Sequence, residues 1–551
     1  MNDVAICGFG PTGAFLALLL ARAGVRVVVL ETSDGEQLSP RAVALDDAVI
    51  RSVVQTAGMR DRFEATAERC PNMQMVSAWT KDSVAPPVVL IGDKTPPGKP
   101  GSWAQYSDTT LKMGPNGMKT GALAMWQPQL ERDVRARLAT HANCTVLFKH
   151  RVAAVERTAA GNVAVRVHRV EGTWRRTEGL EWIYDITRSI EPALLVQARF
   201  LVGCDGARST VRSLCFQASS LVSLGYDRPW VAVDLALPRP RAVLGKALPT
   251  FNHHVFAERQ FIIISGTGRS DALDGKHLRV DFNILPGDPP PPALHSPAFV
   301  ASVCHPLGID VGGPDVRFVR AASYEFHSLL APQWRTGGVF LAGDACHVMP
   351  PFLGQGLNQG LRDCAALWWR LALVIRGIAA PDLLDGYERD RRPVAQRAVE
   401  TSVAVGKLAE ALSHGAAAPP KDNVVSRFYA APASLPALAR EGDALAGGVF
   451  PQWDERSDDA WFDASRAFFC FAANGGGQAL RARVEALGGC VAALPARANV
   501  AAEVVMVAPD RFVIASGREA DADALLVVVR DALRLRPPLS TPPPPSTASR
   551  L

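Results

Sequence analysis

The sequence predicts a chain of mixed α/β and α+β class, built on a Rossmann-like domain that begins near residue 1. Three observations carry this prediction. A strand, a glycine-rich turn, a helix and a second strand fill the first thirty residues. Two further turns containing Gly and Asp follow short apolar runs near residues 203 and 343. At 551 residues the chain exceeds one ordinary compact core, so smaller domains should accompany the large one.

Val4 to Cys7 is apolar without alternation, which suits a buried parallel strand better than a half-exposed one. Ala14 to Ala23 is helical in composition, and Gly24 supplies a stop. Val25 to Leu30, rich in Val, is the second buried strand of a βαβ unit. Pro86 to Pro115 is heavy in Pro and Gly and should form loops beside a substrate region. A helix follows over Gln127 to Ala139, and Val146 to Val170 alternates in strand fashion. Arg175 to Pro192 is charged and aperiodic, and is expected to be a surface excursion between two strands. Strands are expected at Phe200–Cys204, Val231–Leu237, Arg279–Leu285 and Val339–Ala342, with a turn-rich break at Gly287–Pro292. Helices should fill Asn358–Arg376 and Tyr387–Leu412. Composition shifts at Gly415–Lys421, marking a boundary. Beyond it, Ala501–Ser516 and Ala524–Leu533 read as paired strands followed by a helix, enough for a small separate α/β domain. The tail from Arg536 contains four consecutive prolines and nothing to bury, so disorder is expected there.

Composition narrows the function. Fifty-nine basic and 54 acidic residues leave a formal charge of +5, too small an excess to argue for nucleic acid. The ten cysteines include no Cys-x-x-Cys pair and no Cys/His ligand spacing, so neither a metal site nor a disulfide framework is expected. Met1-Asn2-Asp3 runs straight into a strand without a basic leader, and no apolar stretch reaches membrane-spanning length. A cytoplasmic location is therefore expected.

The first chemical motif is Gly8-Phe9-Gly10-Pro11-Thr12-Gly13. In a chain with 45 glycines the bare pattern is weak, and its setting between a buried strand and a helix gives it weight. Gly8 permits the tight turn, Gly10 admits a pyrophosphate, and Gly13 lets the helix pack closely on the sheet. The helix N-terminus offers unpaired N–H groups to phosphate. Glu31 ends the second strand, where its carboxylate can accept from ribose hydroxyls. A carboxylate there repels a 2′-phosphate, so the site suits FAD or NAD and not NADP.

The second motif, Gly203-Cys204-Asp205-Gly206 to Arg212, and the third, Gly343-Asp344-Ala345-Cys346-His347 to Pro350-Pro351, each put an Asp just past a short strand. Ligands gather at such carboxyl ends of strands. Asp344 can hold a polyol, and Gly354, Gln355, Gly356, Leu357 and Asn358 start a helix whose positive end favours nearby negative charge.

In this order the three motifs resemble the class A flavoprotein monooxygenases, the family that contains para-hydroxybenzoate hydroxylase. Pro40-Arg41-Ala42-Val43 and Gln127-Pro128-Gln129-Leu130-Glu131 add to the likeness, which is strongest toward the 3-(3-hydroxyphenyl)propionate hydroxylases and phenol hydroxylases. The resemblance implies FAD as cofactor, with NADH or NADPH as co-substrate and O2 as oxidant. It implies hydroxylation of a small aromatic, phenolic molecule through a flavin C4a-hydroperoxide. Gly8, Gly10, Pro11, Thr12, Gly13 and Glu31 would hold the ADP half of FAD, with Arg41, Asp205 and Gly206 at the pyrophosphate. Gln127, Asp344, Pro351, Gly354, Gly356, Leu357 and Asn358 would serve the flavin half. His347, Pro350 and Pro351 are the candidates beside the reacting ring, and His253, His254, Arg279 and Tyr324 are candidates in the substrate domain.

The implied architecture is a discontinuous FAD domain over 1–400, with a mixed-sheet substrate domain inserted at roughly 75–125 and 213–325. A helical linker at 401–429, a thioredoxin-like domain at 430–537 and a Pro-rich tail at 538–551 complete it. Lacking Cys-x-x-Cys, the thioredoxin-like domain should not perform disulfide chemistry. A homodimer is compatible with this reading. Two rival functions stay open: tailoring of a polyketide or quinolone scaffold, and non-catalytic flavin binding in a redox-interaction protein.

Overall fold

The computed structural model describes residues 1–35, 39, 41–69, 73–77, 89–92, 123–177, 182–217, 220–237, 251–255, 259–265, 276–307, 309–314, 316–414, 416, 466–473, 475–494 and 502–536. The tail 538–551 and nearly all of Pro86–Pro115 and Gly415–Lys421 lie outside them.

Five parallel strands form the centre of the first sheet, in the order Val339–Leu341, Trp182–Gly203, Asn2–Cys7, Val27–Glu31 and Cys144–Phe148. Ile6 pairs with Val202 on one side and Val29 on the other, and all three are fully buried. Burial on both faces explains why Val4–Cys7, Val27–Leu30 and Val339–Leu341 read as unbroken apolar runs. Helix Pro11–Arg22 buries every residue from Gly13 to Ala21, and helices Gln127–Leu138 and Gln355–Ile375 pack against it.

The segment Arg175–Pro192 corrects the expected surface excursion. Strands Val163–Arg176 and Trp182–Gly203 pair antiparallel from Val163↔Ala198 out to Arg176↔Trp182. The register slips between Val167 and Arg169 and again between Glu171 and Gly172. These irregularities, on an arm with little core to face, remove the two-residue period that marks a strand in sequence.

The second sheet runs in the order His347–Val348, Arg317–Leu330, Val222–Leu237, Lys276–Asn283, Gln260–Ser265, Phe251–Val255, Met73–Ser77 and Val89–Gly92. Alternation divides its two faces. Val231, Val233, Leu235, Val280 and Phe282 meet helix Pro297–Cys304 in one apolar core. Trp230, Ile262, Ile264 and Phe326 face the other way, onto Phe352, Leu353, Val399 and Val403. The inward face therefore lies against the third motif.

Helix Asp385–Ser413 is continuous over 29 residues, so its last turns fall in the segment 401–413. Past residue 466 a four-stranded sheet has the order Cys490–Ala493, Phe469–Ala472, Val504–Val507, Val513–Gly517. Its first pair is parallel and the other two pairs are antiparallel. Helices Gln478–Ala486 and Ala522–Ala532 accompany it. This unit is joined firmly to the rest. Trp369 donates its Nε1–H to Asp510 Oδ2 at 3.0 Å, and Arg511 donates to Thr56 Oγ1 at 2.6 Å. Apolar residues of both units share one core. Among the described residues, no helix is long and apolar enough to cross a membrane.

Candidate active site

The three motifs converge at the carboxyl ends of the parallel strands. Gly8 adopts φ +96°, and a Cβ there would lie 2.4 Å from the Cys204 carbonyl oxygen. A Cβ on Gly13 would lie 2.1 Å from the Gly8 oxygen. These glycines are demanded by packing within the protein. Thr12 then wedges between Gly343 and Gly360, whose hypothetical Cβ atoms would come within 2.9 Å and 2.7 Å of its Oγ1. Thr12 thus ties the first motif to the third.

A second set of glycines borders open space. At Gly10, Gly206 and Gly354 an added Cβ would meet no protein atom within 4 Å. Gly10 and Gly354 are also the N-caps of the helices Pro11–Arg22 and Gln355–Ile375, and neither helix has a side-chain cap. Their first N–H groups are left for a ligand, and two helix ends favour anionic groups. Asp344 is exposed between buried Gly343 and Ala345, yet surrounding protein raises its carboxyl above the ordinary range despite His347 and Arg41 nearby. Such a side chain lines a deep cleft. Arg41 is exposed beside it. A cradle of bare glycines, two uncapped helix ends, a carboxylate and a guanidinium fit a large anionic dinucleotide such as FAD.

Other expected site residues brace this cleft. Glu31 accepts from Phe9 N–H at 2.8 Å and from Ser33 N–H and Oγ–H at 2.8 and 2.7 Å. Three of its roughly four acceptor positions are therefore engaged within the protein. Asp205 accepts from Ser209 Oγ at 2.5 Å and from the N–H groups of Thr210 and Val211. Burial raises its carboxyl, against the pull of those hydrogen bonds. Gln127 Oε1 accepts from Arg41 and Ala42 N–H, and its amide donates to Glu131. Asn358 accepts from Asp46 N–H at 2.9 Å and donates to Ala44 and Gly354 carbonyls.

His347 lies fully buried, with Nε2 2.8 Å from Asp363 Oδ2 and its ring beside Trp334. Burial alone would raise the Asp363 carboxyl, but His347 and Arg391 hold it below the ordinary range. Cys346, His347 and Asp363 bring three potential ligand atoms within 4.8 Å. Arg391 Nε, 2.9 Å from Asp363, already supplies the compensating positive charge. Pro350 is buried, and its carbonyl accepts from Ser402 Oγ at 2.7 Å. Pro351 opens the turn that carries Phe352 against Trp230 and Phe326.

Sequence reasoning missed the polar part of the inward sheet face. Asp234 accepts from His277 Nε2, from Arg279 Nε and Nη2, and from Arg320 Nε at 2.7–3.2 Å. Polar or charged residues at 277, 279 and 281, alternating with Leu278, Val280 and Phe282, were the available signal. Arg279 and Tyr324, singled out from sequence, belong to this face. His253 and His254 lie on strand Phe251–Val255, and their side chains fall outside the described residues.

Fold and site together define an FAD-dependent monooxygenase of the class A flavoprotein type. The family described as "FAD binding domain" matches residues 1–402, and the chain belongs to it. It is 30% identical to a "probable NADH-specific resorcinol 4-hydroxylase" of Rhodococcus jostii, over 82% of this chain and 74% of that one. It is 29% identical to a 3-(3-hydroxy-phenyl)propionate/3-hydroxycinnamic acid hydroxylase of Comamonas testosteroni, over 78% of this chain. That match spans 62% of the Comamonas protein, less than two thirds of its length. In fold the chain is similar to the flavin-dependent monooxygenase PieE, with TM-score 0.74, 19% identity, and coverage of 97% and 99%. Aklavinone-11 hydroxylase superposes with TM-score 0.70, 20% identity and the same coverage.

Proposed function

We propose that this enzyme hydroxylates a small phenolic ring, with NADH or NADPH as reductant and O2 as oxidant. The observation that carries the reading is the meeting of the cleft with the sheet. The turn Pro351–Leu353, next to the uncapped end of helix Gln355–Ile375, packs on a wall of Trp230, Tyr324 and Phe326. An aromatic substrate on that wall lies beside the flavin half of the cleft. Bound FAD would supply the redox chemistry, taking hydride from the nicotinamide and activating O2.

The chain's own residues position and shield. Gly10, Pro11, Thr12 and the helix end behind them would cradle the pyrophosphate, with Arg41 as counter-charge. Asp344 would hold the ribityl chain, and the N–H groups at Gly356 and Leu357 would face the flavin's anionic edge. Gly8 and Gly13 act through packing, and Glu31, Gln127, Asp205 and Asn358 by fixing the loops that carry the contacts. One acceptor position on Glu31 remains for the adenosine ribose. His347 is read as a positioning residue because its fully buried ring is engaged by Asp363. The aromatic wall excludes water from the reacting ring. The sheet from Val222–Leu237 to Arg317–Leu330 is the substrate domain. The strand order of the C-terminal unit, parallel in its first pair and antiparallel after, supports the thioredoxin-like reading.

The test is a screen of NADH and NADPH oxidation by the purified flavoprotein against phenols, quinolones and polycyclic polyketides, with product mass recorded. Phenol-stimulated oxidation with one oxygen added to the ring is the expected result. Stimulation by polyketides alone would move the substrate class, and no stimulated turnover at all would favour a non-catalytic flavin binder.

A further inference from the structure

Within the phenol-hydroxylase reading, on which this inference rests, the inward sheet face carries a more specific instruction. Three rows of side chains cross it. In the first, Trp230 stands opposite Tyr324, with Phe326 stacked 5.2 Å from Trp230. In the third, Asp234 stands opposite both Arg279 and Arg320. The middle row reads Ile262, Asp281, Ala232, Ala322 across four strands. Two adjacent alanines make this row shallow between an aromatic wall and an ion-paired one.

Asp281 stands at the end of the shallow stretch. It is 4% exposed, and its Oδ1 has no hydrogen-bond partner among the described residues. Its nearest cation, Arg279 Nε, is 4.0 Å away and is turned to Asp234 at 2.8 Å. A buried carboxylate oxygen without a donor is costly, and a ligand hydroxyl would satisfy it.

The charges around it bear on which ligand fits. Arg279 gives Nε and Nη2 to Asp234 and Nη1 to the Arg41 carbonyl at 2.6 Å, while Arg320 gives Nε to Asp234. Two guanidiniums thus face two carboxylates. A carboxylate arriving on the substrate would be a third negative group, beside arginines already engaged. Burial pushes the Asp281 carboxyl up to about 7, with Asp234 adding to the rise and Arg279 and Arg320 opposing it. Near neutral pH it can still accept as a carboxylate.

We infer that Asp281 is a specificity-determining residue that takes a hydrogen bond from a hydroxyl of an uncharged phenolic substrate and disfavours rings bearing a carboxylate at that end. Of the two chemistries named for the relatives, this favours a neutral diphenol over a hydroxyphenylpropionate. No bond is made or broken in this role.

Binding to the FAD-loaded enzyme can be followed by perturbation of the flavin absorbance. The probes are resorcinol, its dimethyl ether and 3-(3-hydroxyphenyl)propionate. The parent should bind resorcinol more tightly than either other probe. Asp281→Asn should weaken resorcinol roughly tenfold, the loss of a hydrogen bond to a charged acceptor, and should narrow the gap to the propionate. Asp281→Leu, which removes the acceptor altogether, should abolish the preference for resorcinol over its dimethyl ether. A parent that binds the propionate as tightly as resorcinol would overturn the inference, and this needs no variant to fold. So would unchanged probe ratios in both variants. If none of the three probes perturbs the flavin, the phenolic reading itself fails and takes this inference with it.

Discussion

Asp344 is the one exposed side chain in a run of buried residues from Val339 to His347 that is otherwise closed to solvent. Its exposure within surrounding protein means that it faces the cleft, where the ribityl hydroxyls of FAD would need an acceptor. Asp344→Ala should therefore weaken FAD binding by about 1.5–3 kcal/mol, at least roughly tenfold, with little effect on the apoprotein. Fluorescence titration of apoprotein with FAD measures this, and unchanged affinity would remove Asp344 from the site. Glu31 behaves differently. Its carboxylate accepts from Phe9 N–H on one oxygen and from Ser33 on the other. In Glu31→Gln an amide NH2 must confront one of those donors. The substitution should lower both thermal stability and FAD affinity, whereas a residue that touched only ribose would lower affinity alone. A thermal melt of the apoprotein separates the two. Asp344 was singled out in the sequence as a polyol acceptor, whereas the bracing of Glu31 was not legible there, because a motif states which residue types recur and not which backbone donors they meet.

At the scale of elements, the glycines divide by what lies opposite them. Gly360 sits where helix Gln355–Ile375 crosses helix Pro11–Arg22, and a Cβ there would lie 2.7 Å from Thr12 Oγ1 and 3.2 Å from Gly343 Cα. Gly360→Ala must push the helices apart, at a cost of about 1–3 kcal/mol typical of overpacking. Gly356, one turn earlier, has only Met349 Cγ at 4.0 Å. Gly356→Ala should leave the apoprotein as stable as the parent, or more stable by up to about 1 kcal/mol, since Ala is the better helix former. If Gly356 is bare so that a flavin can approach, the same variant should bind FAD more weakly. Stabilisation without loss of FAD affinity would show that the position faces solvent. The element order around these glycines was largely readable: buried parallel strands and apolar helices leave strong patterns. The outer arm, Glu171–Arg176 with Trp182–Ile190, was not, because register slips and two poorly buried faces erase alternation. The polar sheet face escaped for a related reason. Asp234 sits in Val-Ala-Val-Asp-Leu-Ala-Leu, which looks like one more buried strand until its partners Arg279 and Arg320 are known.

For the whole molecule, the question is how the C-terminal unit is held. Its backbone joins the rest through Ala380 N–H to the Arg534 carbonyl and Arg536 N–H to the Ile378 carbonyl. Its polar anchor is buried: Asp510 Oδ2 accepts from Trp369 Nε1 and lies 3.8 Å from Arg370, whose Nη2 is 2.6 Å from Asp390. Two carboxyls thus share one guanidinium out of water. Burial pushes the Asp510 carboxyl up to about 6, although Arg370 and the Trp369 hydrogen bond oppose the rise. In the unfolded chain the same group titrates near the ordinary value of about 3.9. Between those values the folded protein holds a proton that the unfolded chain has released. The contribution of this group to stability is therefore complete below about pH 4 and is lost as pH rises through about 6. Asp510→Asn keeps an acceptor for Trp369 and does not titrate. Against this variant, the parent should lose on the order of 1 kcal/mol between pH 5 and pH 8, a shift of about 1 °C in relative Tm for a chain of this length. Paired melts of parent and variant across that range cancel every other titrating group. A constant difference in Tm would mean that Asp510 stays ionised throughout, with Arg370 paired to it as closely as to Asp390.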